Sequence, residues 1–264
     1  MSKIGFSIIT VCLNAGKVIE ETIRSVLEQG FRDYEYILID GSSTDETPEI
    51  IRRYAQTDRR IRFISEKDQG LYDAMNKGIG LAEGEYIHFL NAGDRYADPE
   101  VLEKTDRFIH SSEGDRADLF FGNIIYRYPD GSEKLRRYPS SCGKSIYYVT
   151  GDCINHQALF AKRGCFENAL FDTGYRYCAD REWMMRMHKA GKKYRAMDIL
   201  ICRYSLDPES VSIKHEKEAW EEAEKCMKRH YPVLFPVYRL VDRIRHGRLS
   251  AKVLHRIYKV LYIK

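Results

Sequence analysis

Three stretches near the start decide the fold. They are Phe6-Ser7-Ile8-Ile9-Thr10-Val11, then the spaced set Val18, Ile19, Thr22, Ile23, Val26 and Leu27, then Tyr36-Ile37-Leu38-Ile39. The first is β-branched, apolar and of strand length. The second recurs at the interval that keeps side chains on one face of a helix. The third is a strand without polar alternation, as expected when both faces of a sheet are covered. Strand, helix and strand in so short a span form a βαβ unit.

The same rhythm continues outward. A helix is expected over 47–54, a strand at Ile61-Arg62-Phe63-Ile64, a helix over 71–82 and a strand at Tyr86-Ile87-His88-Phe89-Leu90. The expected fold class is therefore α/β: a Rossmann-like, mainly parallel twisted sheet with helices on both faces. After Asp94 the pattern loosens. A helix is expected over 99–110, and strands over 118–126 and 134–138 flank the turn Pro129-Asp130-Gly131-Ser132. Residues 139–178 read as irregular, 180–190 as a helix and 194–203 as a strand. From 213 the chain reads as helical, with breaks at Pro232, Pro236 and Gly247. The expected organisation is a body over 1–212, in halves of 1–96 and 97–212, followed by a helical extension over 213–264.

Composition removes several classes. The chain has 264 residues, 44% apolar and 31% charged, and is neither disordered nor fibrous in character. No apolar run reaches the roughly 20 residues of a spanning helix, and no secretory leader is read at the start. Seven scattered cysteines without a Cys-x-x-Cys pair suggest neither a disulfide framework nor a zinc cluster. A cytoplasmic enzyme is expected. A three-glycine dinucleotide loop, a Gly-Lys-Ser/Thr phosphate loop and a Gly-x-Ser-x-Gly elbow are all missing from the sequence.

In open parallel sheets, ligands bind beyond the carboxyl ends of the strands. The segments following the four expected strands are Thr10-Val11-Cys12-Leu13-Asn14, Asp40-Gly41-Ser42-Ser43-Thr44-Asp45, Ser65-Glu66-Lys67-Asp68-Gln69-Gly70 and Asn91-Ala92-Gly93-Asp94. All are polar and three carry carboxylates. Asp40 or Asp68 can accept hydrogen bonds from a base or ribose, and Asp94 can hold a divalent cation that holds phosphate. The competing reading is that these residues form turns and that Asp45 or Thr44 caps the next helix.

Four ordered blocks resemble the family 2 glycosyltransferases: Ser7-Ile8-Ile9-Thr10-Val11-x-x-Asn14, Ile39-Asp40-Gly41-Ser42-Ser43-Thr44-Asp45, Asp68-x-Gly70-x-Tyr72-Asp73-Ala74-Met75-Asn76-Lys77-Gly78, and Gly84-Glu85-Tyr86-x-x-Phe89-Leu90-Asn91-Ala92-Gly93-Asp94. The resemblance spans about 4–212 and is to the bacterial enzymes of exopolysaccharide, capsule or O-antigen synthesis. It implies the GT-A fold, an inverting reaction and a nucleotide-sugar donor, with uridine as the expected base. It further implies that Thr10, Val11, Asn14, Asp40, Asp68, Asn76 and Asn91 serve the donor nucleotide. Asn91-Ala92-Gly93-Asp94 stands where the family carries an Asp-x-Asp metal motif. Only Asp94 survives as an acid there, as the expected contact to Mg2+ or Mn2+. Asp180, opening Asp180-Arg181-Glu182-Trp183, matches the family's catalytic base; the alternative is a helix cap above a buried face of Trp183, Met184 and Met187. His156 and Gln157 are weaker candidates for the diphosphate or acceptor. Gly151 and Asp152 are weaker still, and Lys214 and His215 are expected in a solvated loop.

Charge is uneven. Residues 225–264 hold 11 Lys/Arg against the single acid Asp242, leaving 32 basic and 38 acidic residues before them. Leu249, Val253, Leu254, Ile257, Val260 and Leu261 would form a stripe opposite Arg248, Lys252, Arg256 and Lys259. A basic amphipathic segment over 232–264 suits an anionic membrane surface, and thus a peripheral location on the inner face of the plasma membrane. The alternative is packing on the body or on a second copy. No nucleic-acid motif is present. The expected acceptor is a saccharide or a polyprenyl-linked saccharide. The rival functions are a nucleotidyltransferase and a non-catalytic membrane-associated sugar-binding protein.

Overall fold

The computed structural model describes residues 4–114, 116–143, 148, 153–206 and 214–245. Its centre is β1 (Phe6–Cys12), every residue of which is buried. β2 (Tyr34–Asp40), β3 (Ile61–Ser65) and β4 (Tyr86–Phe89) join it in the order β3-β2-β1-β4, all parallel. Full burial explains the apolar runs of β1 and β2, and their polar residues Ser7, Thr10, Glu35 and Asp40 are buried against hydrogen-bond partners.

Helices α1 (Ile19–Leu27), α2 (Thr47–Ala55) and α3 (Leu71–Leu81) are the crossovers of this half. α3 packs on β1 and β2. The approach is close at Gly78, where a Cβ would press into the Ile9 side chain. A residue that ordinarily weakens a helix by about 1 kcal/mol is kept there because it lets α3 sit down on the sheet.

The second half departs from a simple parallel continuation. β8 (Leu159–Lys162) runs antiparallel to β4 and to β6 (Leu119–Arg127), while β9 (Tyr194–Ser205) is parallel to β6. β5 (Arg95–Tyr96) and β7 (Glu133–Arg136) add antiparallel edges on β9 and β6. The sheet is therefore mixed: parallel over β3-β2-β1-β4 and mostly antiparallel beyond β4. β5 is too short to leave a period in the sequence. β8 lies inside the stretch expected to be irregular, where Ala158-Leu159-Phe160 nonetheless reads as strand-like, and Leu159, Phe160 and Ala161 are buried as a strand.

α4 (Val101–Ile109) covers β9, and α5 (Ala179–Lys189) follows the irregular segment. The expected boundary near 212 falls within 207–213, outside the described residues. Beyond it, α6 (Glu216–His230) and α7 (Phe235–Arg245) are packed into the body rather than free of it. Cys226, Met227, Tyr238 and Val241 belong to the same apolar core as β1. The buried Glu182 of α5 receives Arg186 Nε at 2.8 Å and lies 2.9 Å from His230 Nε2. The Tyr231 ring stacks on Tyr148, and the Tyr231 hydroxyl lies 2.8 Å from His188 Nδ1.

Candidate active site

The four rim segments do follow four adjacent parallel strands, but their side chains divide sharply. Thr10 and Val11 are buried, and Thr10 Oγ1 donates to the Leu90 carbonyl at 2.5 Å, tying β1 to the end of β4. Asp40 is fully buried. One of its carboxylate oxygens accepts from Ser65 Oγ at 2.6 Å and from the Ser43 amide at 3.1 Å; the other accepts from the Ser43 hydroxyl. It thus stitches the ends of β2 and β3 together from inside the wall. Asn14, at a positive φ of 51°, accepts from the Thr44 amide at 2.9 Å and latches the first rim loop to the second. Asp45 takes the Thr47 amide at 3.0 Å and its hydroxyl at 2.6 Å, which bears out the turn reading for that residue, while the N-cap of α2 is Glu46.

Asp68 is the carboxylate left half-open at this rim. It accepts the Gly70 amide at 2.9 Å, and its other oxygen lies against Gly41, where any Cβ would collide with it. Leu13, well exposed, stands beside the same glycine. Asn76 is not at the rim cavity: its amide pairs with Phe171 in both directions, donating to the carbonyl at 2.9 Å and accepting the N–H at 3.0 Å. These hydrogen bonds hold the segment before α5.

Across the seam between the halves, four residues form one chain of contacts. The Tyr72 hydroxyl, from α3, donates to Asp180 Oδ1 at 2.9 Å. Asp180 Oδ2 lies 3.1 Å from His156 Nδ1, and His156 Nε2 lies 2.9 Å from Asn91 Nδ2. A carboxylate can only accept, so Nδ1 carries the proton and Nε2 receives the Asn91 amide. Burial raises the Asp180 carboxyl, but His156, Tyr72 and the Arg181 amide outweigh it and hold the group below its ordinary value. Asp180 is therefore ionised at neutral pH. The Tyr72 phenol is pushed well up, first by burial and then by the Asp180 charge, so it stays a donor.

Asp94 sits one step away and is almost wholly buried. Its oxygens accept the Ser205 amide at 2.9 Å and Gln157 Nε2 at 3.0 Å. Burial pushes its carboxyl up to about 7 despite those two donors. Asn91 Oδ1 and Gln157 Oε1 are buried and have no hydrogen-bond partner among the described residues. The Asp94 carboxyl with two unmet amide oxygens in neighbouring residues is a donor set of the hard, oxygen-only kind that suits Mg2+ or Mn2+. Among the described residues no cluster of three or more His, Cys, Asp and Glu is placed to hold a metal, so such an ion would also depend on substrate oxygens and water.

Residues not singled out from the sequence complete the site. His88, fully buried, lies 3.0 Å from the Gln157 carbonyl and 3.0 Å from the Tyr96 hydroxyl. Its ring stacks on Phe160 at 4.1 Å, and burial drives its pKa down to about 3. It is a neutral strut that fixes the turn carrying His156 and Gln157. Tyr72 was recoverable from the sequence: it stands four residues before Asn76, on the same helix face. Gly151, Asp152 and Ser210-Val211-Ser212-Ile213 lie outside the described residues. His215 stacks on Tyr177 at 5.1 Å.

The parallel half with its polar rim, joined to a mixed half, makes a GT-A-like α/β fold. The chain belongs to glycosyl transferase family 2, whose profile matches residues 7–170. It is 32% identical over 203 residues to the PGL/p-HBAD biosynthesis glycosyltransferase of Mycobacterium bovis, covering 76% of each chain. It is 27% identical over 232 residues to the uncharacterized glycosyltransferase EpsJ of Bacillus subtilis, covering 82% of this chain and 65% of that one. Among solved structures it is similar to S. aureus TarS 1-349 in complex with UDP-GlcNAc, with a TM-score of 0.68, 17% identity, and coverage of 98% of this chain and 76% of that one. It is also similar to the mannosyltransferase PcManGT of Pyrobaculum calidifontis in complex with GDP-Man and Mn2+, with a TM-score of 0.64, 16% identity and coverage of 98% and 80%. Family membership sets aside the nucleotidyltransferase and the non-catalytic sugar-binding protein.

Proposed function

We propose that the protein is an inverting glycosyltransferase of bacterial surface-polysaccharide synthesis that moves a sugar from a UDP donor to a saccharide or lipid-linked saccharide. The observation that carries this reading is the ionised Asp180 meeting His156, which meets Asn91 of the rim. Inversion requires a base on the face of the sugar opposite the departing diphosphate. Asp180 enters from the acceptor-side helix, while Asp68 and Asn14 stand on the nucleotide side. In this reading Asp180 takes the proton of the acceptor hydroxyl as that oxygen attacks the anomeric carbon. His156 holds the Asp180 carboxylate in place, and Asn91 holds the His156 ring. Asp94, with the oxygens of Asn91 and Gln157, would hold Mg2+ or Mn2+, which when bound offsets the charge of the leaving diphosphate. Asp68 would accept from the base or ribose, with Leu13 as an apolar ledge beside it. The names of the mycobacterial and Bacillus relatives, together with the nucleotide sugars in the TarS and PcManGT complexes, support the substrate class.

The test is Asp180→Asn. Transfer from the UDP-sugar is expected to fall at least about 1,000-fold, with UDP affinity unchanged, because a positioned base contributes on the order of 100- to 10,000-fold. Wild-type turnover in Asp180→Asn would refute the base assignment.

We also propose peripheral attachment to an anionic membrane, confined to the basic segment 246–264, which lies outside the described residues. Within the earlier part of the expected segment, Tyr238, Val241 and Ile244 are already buried. Among the described residues no helix is long and apolar enough to cross a membrane. Deleting 246–264 is therefore the clean test. It should abolish flotation with vesicles containing phosphatidylglycerol, and undiminished flotation would remove the proposal.

A further inference from the structure

The family profile ends at residue 170, and the segment that enters α5 meets a helix well beyond that point. Ala219 and Glu222 lie on α6 and His215 immediately precedes it, spaced by four and three residues so that all share one face. All three touch one short segment, 176–178. Glu222 Oε1 accepts the Arg176 amide at 2.8 Å, and Oε2 accepts the amides of Tyr177 at 2.7 Å and Cys178 at 3.1 Å. Cys178 Sγ donates to the Ala219 carbonyl at 3.1 Å, and the Tyr177 ring stacks on His215.

That segment leads directly into α5, whose second residue is Asp180. α5 has no side-chain cap from Cys178, and the three amides that Glu222 accepts belong to the residues just before the helix, so Glu222 ties down the chain as it enters α5. A negative charge there also complements the helix dipole. The Tyr72 hydroxyl lies 3.1 Å from the Tyr177 carbonyl as well as 2.9 Å from Asp180 Oδ1. Displacing 176–178 would thus move Tyr72 and Asp180 together.

We propose that Glu222 is a positioning residue: its carboxylate clamps the amides of Arg176, Tyr177 and Cys178 and so fixes where Asp180 meets the attacking hydroxyl. This rests on the reading of Asp180 as the base. Glu222 touches none of the nucleotide-side residues, so its loss falls on turnover and not on donor binding. A misplacement of about 1 Å can cost on the order of 100-fold in rate.

The experiment uses the full chain and measures UDP release, with water as acceptor, from whichever of UDP-glucose, UDP-galactose and UDP-N-acetylglucosamine it hydrolyses. Glu222→Ala should lower kcat by about 10- to 100-fold with KM for the donor within about twofold. Amide exchange in a 176–178 peptide should speed up in the same variant. Glu222→Asp, which keeps the carboxylate on a shorter stem, should recover part of kcat. It also carries the test should Glu222→Ala fail to fold, with an intermediate kcat as the expected result. In the Asp180→Asn background, Glu222→Ala should lower the residual rate by less than about twofold, because both changes remove one function. Unchanged kcat in Glu222→Ala beside an inactive Asp180→Asn overturns the positioning role alone. So does a loss that is fully additive with Asp180→Asn. Full turnover in Asp180→Asn overturns the base reading first and the positioning role with it.

Discussion

His156 Nδ1 lies 3.1 Å from the carboxylate of Asp180, joining the short 3-10 turn His156–Ala158 that leads into β8 to the first turn of α5. The contact lowers the Asp180 pKa against a burial effect that would raise it. Removing the imidazole should therefore move that pKa upward. In His156→Ala, kcat is expected to fall by about 10- to 100-fold, and the acidic limb of the kcat/KM profile should shift to higher pH, since a larger share of Asp180 is then protonated at any given pH. A pH–rate series on UDP release checks both. An unshifted acidic limb would show that His156 does not act on Asp180.

This pairing also marks how far the sequence reaches. Strand and helix periods located the rim segments, because burial on both faces of β1 and β2 writes itself into apolar runs. The turn chemistry of Asp45 was equally readable. What the sequence does not carry is the direction of a polar side chain within a rim segment. Asp40 and Asp68 follow consecutive strands and look alike, yet one is sealed inside by Ser43 and Ser65 while the other stays half-open. Asn76 reads as a binding residue and is engaged by the Phe171 backbone. In the mixed half the strands over 118–126, 134–138 and 194–203 are legible and so is the strand character of 158–160, but β5, two residues long, is below the length at which alternation distinguishes a strand from a loop. Glu222 gave no local signal at all, because its partners lie more than 40 residues away.

Two glycines in the family blocks should separate binding from stability. At Gly41 a methyl group would strike the Asp68 carboxylate, an exposed and movable end. Gly41→Ala should therefore displace Asp68 and weaken UDP binding by about tenfold, in line with a lost hydrogen bond to a charged group, with little change in Tm. At Gly78 the same methyl would strike Ile9 in the packed layer between α3 and β1. Gly78→Ala should lower stability by about 1–3 kcal/mol despite the better helix propensity of alanine, and leave UDP affinity unchanged. Calorimetric titration with UDP and thermal melts on the two variants decide it, and the opposite pattern would reverse the assignment.

Glu182 ties α5 to α6 and gives the fold an acid-sensitive joint. It is buried, with Arg186 at 2.8 Å and His230 at 2.9 Å; burial raises its pKa, but these two partners outweigh that and hold it below its ordinary value. A carboxyl depressed in the folded state contributes stability above its unfolded value near 4.3, and that contribution is lost as pH falls through the lower folded value. The stability gap between the wild type and Glu182→Gln should therefore be present at pH 6 and close between about pH 5 and 3. His230→Ala should cost about 2–3 kcal/mol at neutral pH, less than a fully orphaned buried charge because Arg186 remains. Urea melts across that range test both numbers, and a gap that widens on acidification would contradict the linkage.

Asp94 offers a way to separate a cation role from a structural one. Its carboxylate is enclosed by the Ser205 amide and Gln157 Nε2, while Gln157 Oε1 has no partner among the described residues. In Asp94→Asn the new amide oxygen can keep the Ser205 bond. Its NH2 then faces Gln157, whose amide needs only to rotate by half a turn to present Oε1 as the acceptor. The contacts to Ser205 and Gln157 are kept and a buried carboxyl is removed, so the fold should be retained with Tm close to that of the wild type. An amide is a much poorer ligand for Mn2+ than a carboxylate. The increase in UDP affinity on adding Mn2+ should therefore disappear while cation-free binding stays the same. If Asp94→Asn instead loses Tm and keeps its Mn2+ response, the carboxylate serves the fold and the cation is held elsewhere.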